Sequence, residues 1–390
     1  MRRIVRLGLF DAAYHRNRTT AAALSVAGAV FRDVHFPVLE TIGDRLAPSR
    51  DAAALLAMAW RFALGEMRLA PRACSAIVWA QDLLFGYPGH WDIVGWAPLA
   101  RRLGRRVLFD PLVTLTETFI EDRRLVAPGT VRARLIRWLD RLALRAADVI
   151  LADTPQQAAS WAALAGVPLS RFAVLPVGAD ERLFDPARRM QAGGRGDDLE
   201  CLRVLFYGTY SPLHGAETIV EAVHRLERAG ERLAVVMIGT GQCEAAVRAR
   251  AAEAGLRTIT FIPWVPEHEL PNWIAWADVV LGIFGATAKA ARVVPNKVYQ
   301  AMAMASAIVT RDSPALRWLA DGEEIALLVP PADADALAAA LRTLRSPARR
   351  TVLAQAARAR FEAVASDRAR ASRLRPLLDP SRPETGGARP

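Results

Sequence analysis

One lysine stands out by its surroundings. The chain has 51 basic residues, all arginine except Lys289 and Lys297. Lys297 follows Pro295-Asn296 at the head of an amphipathic stretch, Val294-Pro-Asn-Lys-Val-Tyr-Gln-Ala-Met-Ala303. Proline suits the first turn of a helix, because its fixed φ is already helical and its missing N–H had no partner there anyway. Lys297 then shares that turn with free N–H groups and the positive end of the helix dipole, a setting for an anion. A cation there opposes the dipole, so it does not serve the helix. It would instead join the N–H groups in facing a diphosphate. The plainer alternative is a solvated surface lysine.

A second anion setting lies upstream. In Val204-Leu-Phe-Tyr-Gly-Thr-Tyr-Ser-Pro-Leu-His-Gly-Ala-Glu-Thr a strand ends at Gly208 and a helix begins near Gly215. Open α/β sheets bind ligands at the carboxyl ends of their strands, and an ordinary strand-to-helix turn is the competing reading. Val236-Met-Ile-Gly-Thr-Gly-Gln242 is another strand ending in glycines, Gly239 and Gly241. Asp110 stands just past the run Val107-Leu-Phe109, where it suits either chemistry or a turn before Pro111. Asp333-Ala-Asp335 has the form of a metal-binding pair, but it follows two prolines and precedes an Ala/Leu helix. That context assigns Asp333 to the N-cap and Asp335 to the first turn. No metal site is expected.

Short apolar runs alternating with amphipathic stretches predict an α/β fold with parallel sheets covered by helices. Strands are expected over 4–9, 76–79, 106–109, 149–152 and 172–175, then over 203–207, 234–238, 258–262, 279–283, 307–310 and 325–329. Helices are expected over 19–29, 51–69, 91–103 and 130–147, and from near 215, 242, 267, 295, 313 and 333. The Gly-rich, charged stretch 185–200 reads as a linker. The expected organisation is therefore a domain over 1–184, the linker, a second domain over 201–346, a helical segment over 347–378 and a disordered tail over 379–390.

Composition narrows the class. At 52% hydrophobic and 23% charged, the chain can bury two cores and is not a disordered protein. Cys74, Cys201 and Cys243 are scattered and odd in number, which argues against a disulfide framework or zinc site and fits a reducing compartment. The longest apolar stretches, such as 20–31, fall short of a membrane span. The basic opening reaches Asp11 and His15 too early for a signal peptide. The expected location is the cytoplasm, with peripheral contact at the inner face of the plasma membrane as a further expectation. The net charge of +11 comes without a nucleic-acid-binding module, so nucleic acid is not an expected partner. In 130–145, Arg134, Arg137, Arg141 and Arg145 share one helical face and Leu135, Leu139 and Leu142 the other, with Trp138 between. Such a helix either packs on the core with a solvated arginine face or lies on an anionic membrane surface.

The order of these segments from Leu202 to about Leu344 resembles the donor-binding half of GT-B glycosyltransferases, specifically glycosyltransferase family 4 (group 1 type). Ala147-Asp-Val-Ile-Leu-Ala-Asp-Thr-Pro155 and Val174-Leu-Pro-Val-Gly-Ala-Asp180 extend it backwards, and the first hundred residues match in pattern only. The resemblance implies two Rossmann-like domains with parallel sheets facing across a cleft. It further implies transfer of a sugar from a nucleoside-diphosphate donor to a hydroxyl of a glycan or lipid-linked acceptor, with retention and without a metal or other cofactor. The setting would be cell-surface polysaccharide synthesis. The family's diphosphate-facing loop matches Gly208 to Gly215, with Thr209 and His214 where an arginine and a lysine are usual. Trp264 and Val265 fall where the backbone meets the nucleotide base. The usual acidic pair falls on Arg292 and Gln300, and Pro295-Asn296-Lys297 fits a branch of the family with Pro-x-Lys before that helix. Asp110 takes the place of a catalytic residue, and His15, Asn17 and Thr114 border the acceptor side. The replaced positions leave open a non-catalytic GT-B subunit that binds a nucleotide sugar or acts as a scaffold; an epimerase of the same architecture ranks lower, without an acidic pair.

Overall fold

Strands that are apolar on both faces belong in parallel sheets covered by helices on both sides. In the computed structural model, which describes residues 1–36, 38, 52–188 and 201–379, the apolar runs build two six-stranded sheets. Every pairing in them is parallel. The first contains β1 (Arg3–Gly8), β2 (Val30–His35), β3 (Asp82–Phe85), β4 (Arg106–Phe109), β5 (Val149–Ala152) and β6 (Phe172–Val174), in the order β2-β1-β3-β4-β5-β6. The second contains β7 (Leu202–Tyr207), β8 (Leu233–Ile238), β9 (Ile259–Ile262), β10 (Val279–Leu281), β11 (Ala307–Arg311) and β12 (Leu327–Val329), in the order β12-β11-β10-β7-β8-β9. In each sheet the chain first builds to one side of its founding strand and then returns to the other. The crevice of such a sheet opens where that order reverses, between β1 and β3 and between β7 and β10, at the carboxyl ends.

The chain divides into two compact units. The first comprises Met1–Ile120, Arg124–Val177 and the stretch from Asp367 on; the second comprises Glu121–Arg123 and Gly178–Ser366. The helix Pro347–Val364 packs on the second unit: Leu353 joins its core, and Arg358 and Arg360 donate to the carbonyls of Ala303 and Leu319. Only Asp367–Leu378 belongs to the first unit, where the buried Arg370 donates to the carbonyls of Thr19 and Pro176. The expected segment 347–378 is thus split between the units. Of the expected linker, 189–200 lie outside the described residues, as do 380–390 of the tail.

The first unit corrects three expectations. Residues 76–79 are not a strand but the end of a helix, Ala52–Trp79, which runs through Pro71; the strand is Asp82–Phe85. A four-residue apolar run is the case in which periodicity cannot separate strand from helix. β2 was not foreseen, because Arg32 and Asp33 are exposed in the middle of this edge strand and interrupt its apolar run. In the helix Val131–Ala146, Leu139 is buried but Leu135 is exposed. Arg141 and Arg145 donate to the carbonyls of Leu164 and Ala165, closing the C-terminal end of the helix Pro155–Ala165. Two of the four arginines assigned to a membrane face are therefore spent on a neighbouring helix.

Candidate functional site

The site builds up from β7. Its last residues, Phe206 and Tyr207, carry the chain to Gly208 at the crevice of the second sheet. The next strand delivers Gly239 against it so closely that a Cβ there would stand 1.8 Å from the Gly208 carbonyl oxygen, and Gly241 meets the Thr209 carbonyl in the same way. The loop then turns through Pro212–His214. The Ser211 hydroxyl accepts from the His214 N–H and the His214 ring accepts from the Ser211 N–H, a reciprocal cap. The turn ends at Gly215, whose φ of +58° and contact with the backbone of Gly285 exclude a side chain. Phe284 and Gly285 donate to the carbonyls of His214 and Leu213. The loops after β7 and β10 are thereby joined across the crevice.

Two nitrogens converge on this loop. A Cβ built on Gly208 would lie 2.8 Å from Nε2 of His214 and 3.0 Å from Nζ of Lys297. Because the Ser211 N–H donates to Nδ1 at 3.2 Å, the neutral ring carries its proton on Nε2 and presents a donor. Burial, and then the charge of Lys297, hold the His214 pKa well below its ordinary value. Lys297 sits in the first turn of the helix Asn296–Ala303, with Pro295 as its N-cap. Its ammonium is buried and has no hydrogen-bond partner. It lies 4.0 Å over the Phe206 ring, whose π face offsets part of the lost hydration. Burial alone holds its pKa well below the usual lysine value. Among the described residues no carboxylate pairs with it, and a buried cation left so is the complement of an anion.

Gln300 is buried one turn further along, and its Oε1 accepts from the Tyr207 hydroxyl at 2.8 Å. An amide oxygen already occupied in this way cannot serve as a base, though its NH₂ group remains a donor. Arg292, the other position matched to an acid, is paired with Glu121. Trp264 and Val265 follow β9, the outermost strand on their side, so β8 separates them from Gly208 in the sheet. Asp333 accepts from the N–H of Ala336 at 2.9 Å and Asp335 pairs with Arg225, which is the cap expected of the pair. Phe206, Tyr207 and Ser211 were not singled out from the sequence. The signal for the first two was their place at the carboxyl end of the founding strand.

At the corresponding edge of the first sheet the buried charges of Arg16 and Asp110 meet each other. Asp110 is buried and accepts from Nε of Arg16 at 2.8 and 3.0 Å and from the Thr20 hydroxyl at 2.8 Å. The carboxylate of Asp110, expected at the chemistry, is thus held in a buried ion pair with Arg16. Asn17 ties the loops after β1 and β3 together: its amide donates to the carbonyls of Asp11 and Tyr87 and its oxygen accepts from the Tyr87 N–H. Thr114 accepts from the N–H of Glu117 and starts the π-helix Thr116–Asp122. His15 is buried in the first turn of the helix His15–Val26. The sequence reading missed Asp153, buried at the end of β5, where loss of hydration raises its pKa to about 7 against the opposing charge of Arg16.

Residues 201–346 match the family described as Glycosyl transferases group 1. D-inositol 3-phosphate glycosyltransferase from Streptosporangium roseum is 26% identical over 219 residues, 50% of this chain and 48% of that protein. The protein of that name from Xylanimonas cellulosilytica is 30% identical over 185 residues, 44% of this chain and 43% of that protein. The chain spans about half the length of the curated relatives it matches. Sucrose-phosphate synthase from Thermosynechococcus elongatus superposes with a TM-score of 0.69 at 19% identity, over 97% of this chain and 98% of that one. HepE from Anabaena in complex with UDP gives 0.67 at 12%, over 97% and 99%. WaaG, a glycosyltransferase involved in lipopolysaccharide biosynthesis, gives 0.64 at 13%, over 98% and 100%. At these identities the likeness is one of fold, and the fold is GT-B. The resemblance to glycosyltransferases of the group 1 type is borne out.

Proposed function

We propose that the chain is a glycosyltransferase that moves a hexosyl group from a nucleoside-diphosphate sugar to a hydroxyl of a glycan or lipid-linked acceptor, with retention, in the synthesis of a cell-surface polysaccharide. The observation that carries the reading is the unpartnered ammonium of Lys297 converging with the Nε2–H of His214 on the loop at Gly208. As the bond between the sugar and the diphosphate breaks, negative charge grows on the leaving oxygen. Donors fixed beforehand in a dry site stabilise that charge without having to reorganise. Thr209, Gly215, Pro295 and Asn296 line the same loop and helix start. In this reading the positive charge the diphosphate meets is Lys297, and neither a resident metal nor another cofactor is required. The donor of HepE is consistent with UDP as the first nucleotide to try.

The test is thermal stabilisation by UDP, GDP, their hexose conjugates and inorganic phosphate, without added metal. A ligand that binds only the folded state raises the midpoint by mass action. A selective rise with one nucleoside diphosphate, followed by sugar transfer from its conjugate, is expected; no rise with any of them refutes the reading. The second reading, a non-catalytic nucleotide-sugar-binding or scaffold subunit, is favoured by Gln300 and Arg292 standing at the usual acidic positions, each tied to a neighbour. Binding with neither transfer nor hydrolysis of any conjugate would select it.

A further inference from the structure

The first unit divides its charge very differently from the second. It holds 28 arginines against 16 carboxylates, net +12, whereas the second holds 23 cations against 24 carboxylates, net −1. The basic character of the whole chain therefore resides in one unit.

Within that unit the charge is further sorted by direction. Three of the helices that share the core on one face of the first sheet, beside the uncharged Pro155–Ala165, carry its outward charge: Ala52–Trp79, His90–Arg102 and Val131–Ala146. They contain ten arginines and three acids. All three acids turn inward. Asp92 accepts from the N–H of Leu9, Asp140 from those of Leu115 and Thr116, and Glu66 from the indole of Trp96. Among the described residues, the outer surface of this layer offers no carboxylate from its own helices. What it offers among the arginines is apolar: Trp60, Trp91 and Trp138 are 64%, 56% and 56% exposed, with Met67, Val131 and Leu135 exposed beside them. Val131, Leu135 and Trp138 fall at i, i+4 and i+7, one stripe of their helix. No helix among the described residues is long and apolar enough to cross a membrane.

We infer that this three-helix layer docks on the surface of a bilayer containing anionic lipid. Tryptophan is suited to the interface, where its ring is buried and its N–H stays wet. Arginines around it meet the negative surface, and their attraction fades within a Debye length. The excess of arginine decides between occupants, although Asp148 from the following loop pairs with Arg101 at the edge of the layer. A second copy would set this cationic face against itself, and a neutral lipid surface would give its excess positive charge nothing to meet. The inference rests on the first unit alone and stands whether or not the donor reading holds.

The test is co-sedimentation of the full chain with vesicles of phosphatidylcholine, with and without phosphatidylglycerol. Binding to the mixed vesicles at least about tenfold tighter than to phosphatidylcholine alone, weakened by raised salt, is expected. The triple variant Trp91→Ala, Leu135→Ala, Trp138→Ala should lose about tenfold of that binding while keeping its melting temperature and its response to UDP. Trp264→Ala, in the second unit, should bind as the unaltered chain does. Equal binding to both vesicle types, binding to neither, or undiminished binding by the triple variant overturns the inference. So does sedimentation velocity showing a dimer that the triple variant abolishes.

Discussion

At the carboxyl edge of the first sheet the buried cation, Arg16, is already paired; at the same edge of the second, Lys297 is not. The two edges share a topology and differ in who supplies the counter-charge. Arg16 donates to Asp110 and to the Leu175 carbonyl, and the Thr20 hydroxyl donates to Asp110 in turn; one terminal nitrogen of Arg16 is left without a partner, but its charge is met. Nearby Asp153 is pushed up to about 7, because loss of hydration there favours the neutral acid. Lys297 finds the faces of the Phe206 and Tyr207 rings and no carboxylate among the described residues, and its pKa falls. A buried charge satisfied inside the chain serves the fold. One left unsatisfied costs stability, and that cost is recovered only when a ligand arrives.

The sharpest way to break this comparison is Asp110→Ala. It strands Arg16 without its partner and should cost about 3–5 kcal/mol of stability, read from urea unfolding followed by a probe of the first unit. Replacing both partners, Arg16→Met with Asp110→Leu, should restore much of it. If Asp110→Ala instead keeps full stability and loses sugar transfer, Asp110 returns to the chemistry and the two edges are alike. Lys297→Met comes next and should act in the opposite sense. Donor-dependent transfer should fall about 10²–10³-fold, in line with the loss of a preorganised donor. The free protein should melt at the same temperature or higher. A Lys297→Met protein that unfolds would mean the ammonium is structural, as Arg16 is.

These two residues also mark how far the sequence could be read. Lys297 was legible because its signal is local: a rare residue, a proline two places before it, and a helix head. The fate of Asp110 was not, because its partner lies 94 residues away and is one of many arginines. The strands of the second unit were legible as short runs rich in Val, Leu and Ile, most fully buried in the central ones. Residues 76–79 failed because a short apolar run at the end of a long helix looks the same as a strand. β2 failed because an edge strand can carry Arg32 and Asp33 at no cost. The outward stripe through Leu135 was misplaced because a helical wheel gives the faces of a helix but not which face its neighbours cover.

A smaller effect sharpens the role given to His214. Its Nδ1 is held by the Ser211 N–H, so Nε2–H is aimed rather than free to rotate. One neutral hydrogen bond to a charged group is worth roughly 1.5–3 kcal/mol. His214→Ala should therefore weaken UDP binding by about 10- to 150-fold, measured by titration calorimetry, with Lys297 still in place. Unchanged affinity would remove His214 from the site and leave the lysine alone.

The smallest effect separates the two edges without any mutation at the first. In the unfolded chain Lys297 has its ordinary value of 10.5; in the free folded protein burial holds it well below that. Between the two values the unfolded state binds more protons, so the stability contributed by this group rises with pH across that window. A bound diphosphate stabilises the ammonium and lifts its pKa again. Affinity is then full below the lowered value of the free protein and declines as pH rises above it, by at most about tenfold per pH unit. In the free protein His214 is already neutral above 6.5, because burial holds its own pKa well below that. The rise in melting temperature given by saturating UDP should therefore shrink with rising pH in the unaltered chain and stay flat in Lys297→Met. A flat response in both would mean that Lys297 does not change its protonation when the diphosphate binds. The unpaired cation would then be no nearer to its ligand than Arg16 is.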